Sequence, residues 1–208
     1  LAARLLRSAL DRGVTVRVEA PAEAMLVEDG RVVGVRLPTG AVRARRGVVL
    51  ATGGFPHDAA RVSALFTHPR HHSAAPESNS GDGLRLGEAA GGTVAEDLAH
   101  PGAWAPVSLV PRSDGGVGRF PHLVERAKPG FLAVDGGGRR FVNEADSYHD
   151  FMAALFRATP PGEEPVAWLI ADHAAQRRWG LGWAKPFPFP LGPALRSGYL
   201  KRGRTLEV

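Results

Sequence analysis

Two rhythms of apolar and polar positions run along this chain. Leu5, Leu6, Ala9 and Leu10 recur at helical spacing on one face and Gly13 follows as a stop, which predicts a helix over residues 1–12. Val14, Val16 and Val18 then alternate with Thr15 and Arg17, the pattern of a strand. Apolar runs at 24–27 and 31–37 flank Glu28-Asp29-Gly30, and an Asp-Gly pair between such runs predicts a hairpin. Residues 42–45 add a further strand. The unbroken Val48-Val49-Leu50 predicts a strand buried on both faces that runs directly into Thr52-Gly53-Gly54.

Further on, the rhythm is mostly helical. A short helix is expected over 58–66 and a longer one over 81–92, with Leu84, Leu86, Ala89 and Ala90 apolar and Gly91-Gly92 as its end. Residues 99–120 are rich in Pro, Gly and Trp and read as irregular. Residues 131–134 and 140–142 flank Asp135-Gly136-Gly137-Gly138 as a strand–turn–strand unit. A helix over 148–157, a strand over 166–171 and a short helix capped by Asp172 follow, then a proline-rich loop over 180–193. The texture changes near residue 97, so the expected domains are 1–97, an α/β unit, and 98–208, a loop-rich α+β unit.

Composition narrows the class. Hydrophobic residues at 44% and charged residues at 23% are those of an ordinary globular protein. No stretch reaches the roughly 18 consecutive apolar residues of a membrane span. The net charge of +5 is carried mainly by arginines that are scattered, with lysine only at 128, 185 and 201, so no nucleic-acid partner is expected. The absence of cysteine excludes disulfides, thiolate metal sites, cysteine nucleophiles and covalent flavin attachment through sulfur, and it fits a cytoplasmic protein. His68, His71 and His72 share a loop without a nearby carboxylate or thiol, so no metal site is expected there. Trp104, Trp168, Trp179, Trp183, Phe187 and Phe189 are expected mostly in the core of the second unit, some lining an apolar pocket.

Three segments carry chemistry. Glycines in Ala51-Thr52-Gly53-Gly54-Phe55, after a buried strand, let a ligand approach the backbone; a tight turn that binds nothing is the alternative. Asn79-Ser80-Gly81-Asp82-Gly83 opens a helix, where Asp82 either caps that helix or accepts a ligand hydroxyl. The third segment is Gly138-Arg139-Arg140-Phe141-Val142-Asn143-Glu144-Ala145-Asp146-Ser147-Tyr148.

In that order the segments resemble the flavoprotein family of fumarate reductases, succinate dehydrogenases and 3-ketosteroid dehydrogenases. The resemblance implies FAD as cofactor and a Rossmann-like FAD-binding domain followed by a capping, substrate-bearing domain. It implies that Thr52, Gly53, Gly54, Asp82 and Gly83 line the cofactor and that Ala22 contacts the adenine edge. Fumarate reductases place an arginine four residues after the motif's glutamate; here Tyr148 stands there. An arginine stays charged and clamps carboxylates, whereas a tyrosine can accept and return a proton. Tyr148 therefore resembles the 3-ketosteroid dehydrogenase base, which removes a proton from the carbon beside a ketone. By the same resemblance His100 and Glu125 are substrate contacts, and Asn143 and Glu144 fix the loop that carries Tyr148.

The resemblance thus implies an FAD-dependent oxidoreductase that introduces or reduces a C–C double bond beside a carbonyl, on a ketosteroid or similar apolar ketone. A fumarate- or succinate-type carboxylate enzyme is the alternative, and a non-catalytic piece that needs a partner or further segments is another. The family's Gly-x-Gly-x-x-Gly and its later Gly-rich segment have no counterpart here. The resemblance covers the middle of a full member, so this chain by itself is expected to bind FAD poorly and to turn over nothing.

Overall fold

A computed structural model describes residues 1–66, 68, 71–95 and 97–205. In chain order the elements are α1 (Ala2–Asp11), β1 (Ala24–Glu28), β2 (Arg31–Leu37), β3 (Gly40–Arg43), α2 (Ala59–Leu65), α3 (Asp82–Ala89), β4 (Val107–Pro111), β5 (Val117–Pro121), a short 3-10 turn (Glu125–Ala127), β6 (Phe131–Asp135), α4 (Tyr148–Ala158), β7 (Ala167–Ala171), α5 (His173–Trp179) and α6 (Gly192–Arg196). Two compact units form: Leu1–Asp58 with Glu77–Glu96, and Ala59–Pro76 with Asp97–Val208. Among the described residues no helix is long and apolar enough to cross a membrane.

The first unit is built on an antiparallel meander, β1-β2-β3. The turn between β1 and β2 has Asp29 at φ 48 and Gly30 at φ 73. Two successive positive φ values match the right-handed twist of the strands they join, and Asp-Gly tolerates them. β1 and β2 pair Met25 with Val35, and β2 and β3 pair Val35 with Val42. α3 packs on β1, burying Leu86.

Two expected strands of this unit are absent. Residues 14–18 and 47–51 form no strand; Val18 is 81% exposed and Val49 89%. A strand gains its stability from the hydrogen bonds of a neighbour. No described residue pairs with either run, so apolar content alone leaves them as irregular chain.

In the second unit β6 pairs with β7, setting Leu132 opposite Ile170 and Val134 opposite Trp168. The expected partner at 140–142 contributes only one bridge, Arg140 to Val134. Asp135 explains the shortfall: its carboxylate accepts the Gly137 and Arg139 amides and curls the chain out of the ladder. Ala133, Val134, Phe151, Ala154 and Leu155 form the buried core. Gly130 lets the start of β6 approach α5, since a Cβ there would lie 2.6 Å from that of Ala175.

Residues 99–120, expected to be irregular, contain a second hairpin, β4–β5, closed around Ser113-Asp114-Gly115-Gly116. The large aromatics also depart from expectation. Trp168, Trp183, Phe187 and Phe189 are exposed rather than core. Cationic side chains cover several of them, with Arg177 3.8 Å from the Phe187 ring centre, Lys185 over Phe189 and Lys201 over Trp168.

Candidate functional site

Of the expected cofactor residues, those of segments 52–54 and 82–83 come together within the first unit. Gly53 has φ +83 and presses against the Asn79 side chain, where a Cβ would sit 2.7 Å from Nδ2. Gly83, buried in the first turn of α3, faces Thr52 so closely that a Cβ would lie 2.2 Å from its Oγ1. The His57 amide donates to the Asn79 carbonyl at 3.2 Å. The Thr-Gly-Gly and Gly-Asp-Gly segments are therefore one joined surface, locked by glycines that admit no side chain.

Residues 51–54 are exposed on that surface. Asp82 is exposed too, with Arg85 donating to its carboxylate and Ser80 Oγ donating at 3.3 Å. Bare, exposed backbone beside a carboxylate acceptor suits a ligand that brings hydroxyl groups and a flat ring, so these residues fit a flavin nucleotide. Ala22 lies exposed in the irregular segment before β1.

In the second unit the chemistry gathers at the start of α4. Tyr148 is the first residue of that helix and is 42% exposed. Ser147 caps it: its Oγ accepts the Asp150 amide at 3.1 Å and donates to the Asp150 carboxylate at 2.8 Å. His149 Nδ1 accepts the Trp104 amide at 3.3 Å, and its ring meets that of His100 edge-on at 4.7 Å. Folding thus brings His100 beside the helix turn that holds Tyr148.

The loop before Tyr148 is held from both sides. Glu144, 5% exposed, accepts the Ala133 amide of β6 at 2.8 Å and binds Arg140 through both oxygens, at 3.0 and 2.6 Å. Burial works against its charge, but the Arg140 guanidinium and the Ala133 amide prevail and hold the carboxyl below its ordinary value of 4.5. Asn143 Oδ1 accepts the Ala145 amide, tightening the same turn.

Arg126, which the sequence reading passed over, is the other support. It is 2% exposed, and its guanidinium donates to the carbonyls of Glu144, Asp146 (2.7 Å) and His122 (3.1 Å) above the Phe151 ring. Burial pulls it below its usual value while Glu125, Asp146 and Glu144 oppose that shift. An arginine that binds backbone carbonyls leaves no local pattern; its place directly after Glu125 was the only available cue.

Glu125 accepts a hydrogen bond from His122 Nδ1 at 2.5 Å. His68 stacks on Phe156 and His71 meets Phe66 edge-on, so aromatic packing occupies both. Among the described residues no group of three His, Cys, Asp or Glu side chains is placed to hold a metal ion.

A family model described as "FAD binding domain" matches residues 1–203. The chain belongs to this FAD-binding family. It is 36% identical to a 4-oxocyclohex-2-ene-1-carboxylate 5-dehydrogenase of Sinomonas cyclohexanicum, over 98% of this chain and 36% of that protein. It is 32% identical to a 3-oxosteroid 1-dehydrogenase of Mycolicibacterium smegmatis, over 94% and 36%. The fold is similar to the crystal structure of 3-ketosteroid delta1-dehydrogenase from Sterolibacterium denitrificans in complex with 1,4-androstadiene-3,17-dione: TM-score 0.72, 28% identity, over 90% of this chain and 35% of that one. The FAD-binding chain thus spans about a third of the length of the relatives it matches, and the family's cofactor is FAD.

Proposed function

We propose that this chain is the part of an FAD-dependent dehydrogenase that holds one edge of the flavin nucleotide and supplies the base for dehydrogenating a cyclic ketone beside its carbonyl. In this reading residues 1–97 belong to a Rossmann-like FAD-binding domain and residues 98–208 to a capping domain over the substrate. Thr52, Gly53, Gly54, Asp82 and Gly83 hold the nucleotide, and Ala22 meets its adenine. A cytoplasmic location belongs to the same reading, supported by the cysteine-free composition.

The observation that carries the proposal is Tyr148. It opens α4 with its ring partly exposed, on a loop that buried Glu144 and Arg126 pin from opposite sides. A base must be fixed relative to the C–H it attacks, and these supports fix it. Tyr148 takes the proton from the carbon next to the carbonyl. His100 positions the substrate, and Glu125 offers its second carboxylate oxygen to it. Bound FAD supplies the electron sink that no side chain provides.

The relative at 36% identity is named for a cyclohexene carboxylate rather than a steroid. That favours a small cyclic ketone bearing a carboxylate over a large apolar ketone. Turnover of 4-oxocyclohexanecarboxylate and of a 3-ketosteroid, compared in a protein of the relatives' full length, tests this. The small acid should have the higher kcat/KM by at least tenfold; a preference for the steroid contradicts it.

A further inference from the structure

A second cluster lies in the second unit and shares Glu125 with the substrate contacts proposed above. Ser108 on β4 places its Oγ 2.6 Å from His122 Nε2. His122 Nδ1 lies 2.5 Å from Glu125 Oε1. On its other side Ser108 Oγ is 2.7 Å from the Tyr199 hydroxyl, whose oxygen accepts the Trp183 amide at 2.9 Å. Burial pushes the Glu125 carboxyl up, but the bond from His122 together with the backbone amides of Glu125 and Val124 holds it below its ordinary value.

One direction satisfies every bond. An ionised Glu125 only accepts, so His122 carries its proton on Nδ1 and leaves Nε2 as an acceptor. Ser108 then donates to His122, Tyr199 donates to Ser108, and Trp183 donates to Tyr199. The chain of bonds draws the proton off Ser108 toward His122. The side chains of His122 and Glu125 are 13% and 18% exposed, shielded from bulk water without being sealed. Gly182, at φ +57, is what lets its loop close on the cluster, since a Cβ there would lie 2.2 Å from the Tyr199 oxygen and 2.9 Å from His122 Cε1.

We propose that Ser108, His122 and Glu125 form a nucleophilic serine centre that accepts acyl groups from aryl esters, with Tyr199 as the oxyanion donor. The parts meet the geometric requirements of such a centre: a nucleophile bonded to a base, the base oriented by a carboxylate, and a donor next to the attacking oxygen. Phe120 and Trp183, edge-on to His122 and Tyr199, make the surroundings aromatic and set the preference for an aryl group. Ser108 Oγ bonds to the ester carbonyl carbon as its proton passes to His122 Nε2. The tetrahedral oxyanion accepts the Tyr199 hydroxyl. The bond to the aryloxide breaks, and that leaving group takes the proton from His122. Water repeats the sequence, releasing the acid and restoring Ser108. No oxidant or flavin takes part, so labelling of Ser108 reads this activity separately from flavin reduction, although Glu125 serves both readings.

The test is to incubate a protein of the relatives' full length that carries this chain with an alkyl fluorophosphonate and to read the adduct by intact mass and peptide mapping. Serine oxygen bonds to phosphorus, fluoride leaves, and the proton goes to His122. A single adduct on Ser108 is expected, absent in Ser108→Ala. Labelling should slow at least a hundredfold in His122→Asn, which keeps a hydrogen-bonding side chain and, with circular dichroism, guards against loss of fold. Glu125→Gln and Tyr199→Phe should each slow it about tenfold. A full-length protein with native circular dichroism and no adduct on Ser108, or labelling at an equal rate in His122→Asn, would overturn the proposal.

Discussion

At the scale of single residues, the loop before Tyr148 is held by two charged groups, Arg126 and Glu144. Arg126, itself buried, donates to three backbone carbonyls, of which that of Glu144 is buried and those of His122 and Asp146 are partly so. Replacing it with Met keeps much of the volume and removes every donor. Losing three charge-assisted bonds made from a buried guanidinium should lower stability by about 3 kcal/mol in urea unfolding. A change below about 1 kcal/mol would show that Arg126 does not hold the loop. Glu144 gives the pH dependence. Its folded value lies below 4.5, so the unfolded chain binds more protons as the solution is acidified. Its contribution is complete above the ordinary carboxylate range and is lost as pH falls through the lowered folded value. Glu144→Gln should flatten the acid side of a stability-against-pH curve below about pH 4.5 and leave its neutral slope unchanged; an unaltered acid limb contradicts this. Tyr148 was legible because motif spacing identifies it. Arg126 was not, because burial is a property of the folded chain.

At the scale of elements, local chemistry was read well and long-range pairing poorly. The β1–β2 hairpin follows from Asp29-Gly30, α4 was expected over 148–157 and α5 with Asp172 as its cap, while the Ser147 cap of α4 emerged only in the structure. The β6–β7 pair joins strands separated by a helix, which no turn signal announces. The β4–β5 hairpin was hidden in a stretch whose Pro and Gly content mimics a loop. Residues 47–51 show the converse: the apolar run is real, but a strand needs a neighbour to exist. The joined glycine surface can be tested at this scale. Gly83→Ala sets a methyl group on Thr52 Oγ1 and should cost about 1–3 kcal/mol in overpacking. Adding Thr52→Ala removes the clashing oxygen, so the double variant should recover most of that loss in the same denaturation assay. Independent, additive effects would mean that the two segments do not touch.

At the scale of the whole molecule, the joined glycine segments lie in one compact unit and Tyr148 in the other, and the FAD-binding family match spans both. The chain covers about a third of the length of its dehydrogenase relatives, so the catalytic cycle belongs to a protein of their full length. Family membership was readable because three short motifs keep their order. Substrate size was not, because the aromatics that suggested an apolar pocket lie at the surface under Arg and Lys side chains. The assignment of Tyr148 as the base is most directly exposed by mixing a full-length protein, anaerobically, with a cyclic ketone and following bleaching of the flavin absorbance. Tyr148→Phe should bind FAD with an unchanged spectrum and slow the bleaching at least a hundredfold, a barrier increase of about 2.7 kcal/mol. Bleaching that stays within about tenfold of the parent rate would contradict the assignment.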